Sequence, residues 1–251
     1  MKRKICIALA AVFAVVFVFS AVNLFLTIAD YRQAENLYND VQEQYVSIRT
    51  TESSALQNTE KPKEELISVD FEGLLSANPD VVGWLYAPDT GINYPVVQAK
   101  DNQTYLHKGL NGKYLRSGTI FADYRNEAPM KDRNYIVYGH SMKNGSMFGM
   151  LLHYKKQSYF DKHPVWYYLT PEQNYRVELF AGRVVKTDHS IYQVDIDDAE
   201  FFAYLQETVE KSTFKSNVQV ADSDSIITLS TCSYEFDQAR YVVLGKLVPI
   251  E

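Results

Sequence analysis

Hydrophobic positions along the chain fall into three regimes. Residues 5–29 form an apolar run without a charge, in which only Ser20, Asn23 and Thr27 are polar. At about 1.5 Å rise per residue, a helix of that length crosses the roughly 30 Å hydrocarbon core of a bilayer. Next, Tyr31, Ala34, Leu37, Val41, Tyr45 and Ile48 recur every three or four residues among charges and amides, which predicts an amphipathic helix leaving the membrane. Residues 50–62, rich in Thr, Ser, Glu and Lys, read as a linker. A short helix over 70–76 ends at Asn78-Pro79, because the residue before proline resists the helical region. From Val82 onward the pattern changes to short β-type runs punctuated by Gly, Pro, Asn and Asp. Strands are predicted near 83–86, 93–97, 119–122, 135–138, 165–169, 175–186, 226–230 and 241–247. Helices interrupt them at 146–159, after an Asn144-Gly145 turn, and at 197–211. The second carries Phe201, Phe202, Leu205 and Val209 on one face and an acidic start that suits the helix dipole. About eight short strands with regular turn signals predict a closed or nearly closed β-barrel.

The charges flanking the apolar run orient it. Lys2, Arg3 and Lys4 precede it and Asp30 follows, so the positive-inside rule puts the N-terminus in the cytoplasm and everything after Asp30 outside. A cleaved signal peptide has a shorter apolar core, about 7–15 residues, and a small-x-small cleavage site. This run instead ends in Leu24-Phe25-Leu26-Thr27-Ile28 and reads as an uncleaved signal-anchor. The 251 residues, 46% of them apolar, suffice for one sizeable domain and an appendage. The net charge is −6, and the part outside the membrane holds 22 basic and 31 acidic residues, a net −9. A general nucleic-acid binder is thereby excluded. The two cysteines, Cys6 and Cys232, fall on opposite sides of the membrane, which leaves Cys232 as a lone exterior thiol. Residues 36–59, as stalk and linker, are expected to be dispensable for any chemistry beyond them.

Cys232 ends the run Ile226-Ile227-Thr228-Leu229-Ser230-Thr231-Cys232, just before the polar Ser233-Tyr234-Glu235. A cysteine there can be a buried core residue or a nucleophile at the barrel rim, and its position alone does not choose. A nucleophilic cysteine needs a partner, because with a pKa near 8.5 it is only a small part thiolate at neutral pH. His140 follows another apolar strand, Tyr135-Ile136-Val137-Tyr138-Gly139, and so also belongs at a rim, whereas His107, His153, His163 and His189 read as surface or capping residues. Arg240, eight residues after the cysteine, opens the next strand and can supply an always-charged guanidinium to a developing oxyanion. Papain-like enzymes place Cys before His, and caspase-like ones keep the His about 50 residues upstream. Here His140 precedes Cys232 by 92 residues, so neither pattern fits. A membrane-tethered β-domain that only binds, with Cys232 structural, is the reading from another class. The acidic cluster Asp195, Asp197, Asp198 and Glu200 lacks the spacing and glycine of a calcium loop, the histidines lack zinc spacing, and no cofactor fingerprint is present, so no metal or cofactor is expected.

These residues carry a resemblance. Thr228-Leu229-Ser230-Thr231-Cys232, an Arg on the following strand and Tyr138-Gly139-His140 upstream are similar to the sortase signature. Asn78-Pro79-Asp80-Val81-Val82-Gly83-Trp84-Leu85-Tyr86, Asn93-Tyr94-Pro95-Val96-Val97-Gln98, Ile120-Phe121-Ala122-Asp123-Tyr124-Arg125-Asn126 and Asn134-Tyr135-Ile136-Val137-Tyr138-Gly139-His140-Ser141-Met142 resemble class B sortases in particular, and the similarity covers about residues 68–250. The resemblance implies a mainly β fold: a closed eight-stranded sortase-type β-barrel with N-terminal helices, a helix inserted before the cysteine strand, and one transmembrane helix in front. It divides the chain into a cytoplasmic tip (1–4), a signal-anchor (5–29), a helical stalk and linker (30–67) and a catalytic domain (68–251). It also implies a Gram-positive cysteine transpeptidase needing no cofactor. In that reading Cys232 attacks the Thr carbonyl of an Asn-Pro-x-Thr-type sorting motif in a secreted protein, His140 handles protons, and Arg240 holds substrate and oxyanion. Tyr138, Leu106, Ser230 and Thr231 would line the substrate groove. The acceptor would be an amine of the peptidoglycan crossbridge or a pilin lysine. Many class B members carry an acid directly after the cysteine; here that residue is Ser233 and the nearest acid is Glu235.

Overall fold

All eight strands expected from the alternating runs form, and they close on one another. The computed structural model describes residues 2–49, 66–129, 131–187, 190–194, 197–221 and 223–250. After a small antiparallel pair, β1 (Val46–Arg49) and β2 (Leu66–Val69), come the barrel strands β3 (Val81–Ala87), β4 (Ile92–Val97), β5 (Ile120–Ala122), β6 (Asn134–Tyr138), β7 (Val165–Leu169), β8 (Asn174–Lys186), β9 (Ile226–Cys232) and β10 (Ala239–Ile250). Around the barrel they run β10-β8-β7-β3-β4-β5-β6-β9 and back to β10. Two neighbours, β4–β5 and β6–β9, are parallel and the rest antiparallel. A parallel neighbour cannot be reached through a tight hairpin, and the chain builds β7, β8 and the helix Asp198–Glu210 between β6 and its parallel partner β9.

Alternate residues of each strand fill the interior: Leu85, Ile92, Val96, Tyr135, Val137, Trp166, Tyr168, Val177, Leu179, Ile227, Leu229, Tyr241 and Val243 pack into one cluster. Opposite faces of the same strands are buried too, under helices. Phe180, Val185, Ile226, Val242 and Leu244 lie beneath Phe201, Tyr204 and Leu205 of helix α4 (Asp198–Glu210). Trp84, Val97, Phe121, Tyr167 and Leu169 lie beneath Val41, Ile67 and Leu74. Burial on both faces is why β9 carries no charge and stays buried through Thr231 rather than alternating with exposed residues.

Three elements differ from the sequence-based expectation. The apolar run and the amphipathic stretch are one uninterrupted helix, α1 (Lys2–Tyr45), since no Gly or Pro separates them. Its part from Leu9 onward is long enough to cross a membrane and contains an 18-residue stretch with a mean hydropathy of 2.6. The helix stops before Ile48, which instead pairs with Ile67 in the β1–β2 ladder; residues 50–62, read as linker, lie outside the described residues. The segment read as a stalk is docked: its apolar stripe places Ala34, Tyr38 and Val41 in the core, and Gln42 donates to Asn93 O at 2.8 Å. Residues 36–49, the described part of the stretch expected to be dispensable for chemistry, thus pack on the barrel, with Val41 in one cluster with Trp84. Helix α2 (Phe71–Ala77) is capped by Asp70, whose carboxylate accepts from Gly73 N. The single helix expected over 146–159 is a 3-10 helix, Phe148–Lys155, followed after extended Lys156 by a single turn, α3 (Gln157–Phe160).

Docking of α1 is testable. Val41→Asp buries a charge without a partner and is expected to destabilise the full chain by about 3 kcal/mol in denaturant unfolding in detergent. A change within about 0.5 kcal/mol would mean that the segment stands free of the barrel.

Candidate active site

The parallel β6–β9 pair sets the site. Tyr138 is opposite Ser230, and the ladder extends one step beyond, with Gly139 N donating to Ser230 O at 3.1 Å and Thr231 Oγ1 donating to Gly139 O at 2.8 Å. Both strands run toward the same end, so His140 and Cys232 emerge there together. Across the other edge of β9, Cys232 is directly opposite Arg240 of β10. Residues so paired present their side chains on one face, with Cβ atoms about 5 Å apart. Because Ile227 and Leu229 point into the barrel, Ser230 and Cys232 point outward by alternation. The outward face there is a cleft of about 460 Å³ lined by Leu106, Tyr138, His140, Cys232 and Arg240, among others. Cys232 is a free, half-buried thiol.

All seven residues singled out from sequence line this one cleft: Cys232, His140, Arg240, Tyr138, Leu106, Ser230 and Thr231. Also lining it are Asn102, Phe121, Arg125, Gly139, Thr187 and Tyr192, which were not singled out. Phe121 and Arg125 stand within a segment that carries the class B resemblance; Asn102 lies in a loop, Thr187 just past a strand end and Tyr192 in a short 3-10 helix, with no pattern to mark them.

The His140 ring is fixed by backbone. Its Nε2 lies 2.8 Å from Leu106 O. A carbonyl can only accept, so Nε2 carries a proton and Nδ1 is the nitrogen that titrates. Burial holds the imidazole below its ordinary value of 6.5; the hydrogen bond to Leu106 opposes this, and the neighbouring His107 reinforces it. His107 is exposed, as its polar loop suggests, and it also stacks on His140 with centroids 5.4 Å apart. His189 lies outside the described residues.

A buried carboxylate held by an exposed arginine floors the cleft. Arg125 grips the fully buried Asp123 with two hydrogen bonds of 2.8 Å, and Asp123 also accepts from Tyr138 OH at 2.8 Å and from Asn102 Nδ2 at 2.9 Å. Burial alone would raise the Asp123 carboxyl, but the Arg125 donors outweigh it and keep the group below the usual carboxylate range. Tyr192 stacks on Tyr138 at 6.1 Å and hydrogen-bonds Ser230 Oγ at 2.9 Å; burial pushes its hydroxyl up to about 12. Glu235 is bound elsewhere: Lys155 and Ser233 both donate to it, and although burial acts to raise its pKa, those bonds bring it down to about 2. The loop after Cys232 is thereby tied to the 3-10 helix.

A thiol, an imidazole and a guanidinium on one outer wall of a closed barrel form an acyl-transfer type of site. The Sortase domain family profile matches residues 85–248. Sortase B of Listeria monocytogenes is 36% identical over 236 residues, spanning 93% of this chain and 92% of that protein. Sortase B of Staphylococcus aureus is 35% identical over 190 residues, 74% of this chain and 78% of that protein. Among solved structures, sortase B from B. anthracis in complex with AAEK1 superposes with a TM-score of 0.74 at 35% identity, covering 89% of this chain and all of that one. A Staphylococcus aureus sortase B-substrate complex gives 0.68 at 35% identity over 72% of this chain and 85% of that one. A sortase B complexed with triglycine gives 0.67 at 35% identity over 72% of this chain and 86% of that one. The chain belongs to the sortase family, in its class B, the cysteine transpeptidases of the cell wall.

The environment of His140 predicts its titration. Its imidazole is expected to titrate below pH 6.5, so the folded protein binds fewer protons there than the unfolded chain and loses stability as pH falls through that window. His107→Ala removes the repulsive neighbour and opens the ring to water, and should move the midpoint upward in an NMR titration. A midpoint that stays put or falls would show that His107 does not act on it.

Proposed function

We propose that the chain is a single-pass membrane enzyme with a cytoplasmic N-terminus, which cleaves an Asn-Pro-x-Thr-type sorting motif in secreted proteins and transfers the acyl group to an amine of the cell-wall crossbridge. The observation that carries the reading is the register that sets Cys232 opposite Arg240 while the parallel β6–β9 pair delivers His140 to the same end. The anchor rests on the apolar half of α1 with Lys2, Arg3 and Lys4 before it.

The reacting form is a Cys232 thiolate with an imidazolium at His140. Sulfur attacks the Thr carbonyl carbon, and the oxygen takes up the electron pair as an oxyanion beside the Arg240 guanidinium. Collapse breaks the C–N bond; the leaving amine takes the Nδ1 proton of His140, and a thioester on Cys232 remains. The acceptor amine then gives its proton to Nδ1 as it attacks the thioester, and the thiolate departs. His140 ends protonated, as it began. Tyr138, Leu106, Ser230 and Thr231 wall the groove in which the motif lies. The relative solved with triglycine supports a glycine amine as acceptor rather than a pilin lysine.

The full chain in detergent, given Asn-Pro-x-Thr peptides and triglycine, should cleave after Thr and yield the glycine-extended product by mass spectrometry. Cys232→Ala and His140→Gln should abolish product. Arg240→Lys should lower kcat/KM about a hundredfold, since an ammonium lacks the forked donors. Glu235→Gln should keep cleavage, its carboxylate being committed to Lys155 and Ser233. Absence of cleavage by the unmodified chain would sink the transpeptidase reading, and lysine capture in preference to triglycine would point to pilin assembly.

A further inference from the structure

The His140 ring is held by a peptide carbonyl, and that carbonyl is itself held from the N-terminal helix. Leu106 lies in the segment between β4 and β5, where Thr119 N donates to Tyr105 O at 3.1 Å and Leu115 N donates to His107 O at 3.0 Å. Gly118 is left-handed, with φ of 59°, and sits so close that a Cβ there would stand 2.5 Å from Leu106 O and closer still to Tyr105 O. Its backbone therefore buttresses the same carbonyl that accepts from His140. Gly118 is in turn fixed by α1: the Tyr38 hydroxyl donates to Gly118 O at 2.5 Å and lies 3.1 Å from Thr119 Oγ1, which donates onward to Lys108 O at 2.9 Å. The Tyr38 ring is 3% exposed and packs edge-on against Tyr94 at 5.2 Å, so the hydroxyl has no freedom to drift. Beside it on the helix, Leu37 closes against Gly109.

We infer that Tyr38 of the N-terminal helix is a positioning residue for His140, acting through Gly118 and the Leu106 carbonyl to hold the ring as its Nε2–H tautomer. The carbonyl takes the orienting part that a carboxylate plays in other nucleophile–histidine pairs, which suits a chain in which Ser233 follows Cys232 directly and the first acid after it, Glu235, is bound to Lys155 and Ser233. The inference rests on His140 being the proton carrier proposed above.

Two variants of the full chain in detergent test it. Tyr38→Phe keeps the ring and its contact with Tyr94 while removing only the hydroxyl; Gly118→Ala drives a methyl against Leu106 O. The readouts are the ring ¹⁵N signals of His140, identified by their loss in His140→Gln, and the separate kcat and KM for peptide cleavage. The unmodified chain should show Nε2–H alone. Tyr38→Phe should admit the Nδ1–H form and lower kcat about five- to tenfold with KM unchanged; Gly118→Ala should lower kcat about a hundredfold. If Tyr38→Phe, melting within a degree or two of the parent, leaves kcat unchanged, or lowers it with the tautomer untouched, the inference is overturned. Should Gly118→Ala fail to fold, Tyr38→Phe decides alone. Intact cleavage by His140→Gln would instead overturn the proposed function itself, so the two failures are separable.

Discussion

The structure depends on a single parallel pairing, β6 against β9. In an antiparallel barrel, consecutive strand ends alternate between the two mouths, so residues after one strand and at the end of its neighbour lie far apart. Parallel pairing brings two strand C-termini to one mouth, at the cost of a connection that cannot be a hairpin. Here the chain from Gly139 to Ser225 forms that connection and contributes β7, β8 and α4 on the way. Reversing the pairing would send His140 to the opposite end from Cys232. The Arg240 relation is simpler: β9 and β10 form a hairpin, and the left-handed Gln238, with φ of 58°, lets the connecting loop turn back so that Ser233 N reaches Ala239 O at 3.0 Å.

Below the reacting groups the cleft is stiffened by charge rather than by apolar packing alone. Asp123 is fully buried, and a buried carboxylate is tolerable only when its acceptor sites are filled. Two forked bonds from Arg125, one from Tyr138 and one from Asn102 fill them. Arg125 also donates to Tyr192 O at 2.9 Å, which ties the segment before α4 to the floor. Tyr138 and Tyr192, stacked on each other, are thus both tied to the Asp123–Arg125 pair.

The barrel was legible because each strand is short, β-branched or aromatic, and bounded by turn residues; the strand runs ending at Tyr138 and Cys232 differ from the structure by no more than two residues. The chemical residues were legible where a strand broke abruptly into polar sequence, as at Cys232 and His140. Other features depend on what lies across space. Nothing in Val46-Ser47-Ile48-Arg49 shows that a partner strand waits at Leu66–Val69. An amphipathic stripe declares that it will be covered but not by what, so the docked half of α1 reads as a stalk until Trp84 is seen beneath it. His107 sits in a loop whose polarity suggests solvent, and only the fold stacks it on His140. Tyr192 and Asn102 likewise gain their roles from neighbours distant in sequence.

The choice of a carbonyl to orient His140 has an electrostatic consequence. A carboxylate on Nε2 would both orient the ring and stabilise its charged form, raising the pKa. A peptide carbonyl orients with only a dipole. Against that weaker support, burial and the adjacent His107 prevail, so the resting imidazole is held below its ordinary value. Arg240, opposite Cys232 across the β9–β10 pair, sets a guanidinium on the other side of the site from that ring. Orientation by a dipole thus forgoes stabilisation of the charged ring while still fixing which nitrogen carries the proton.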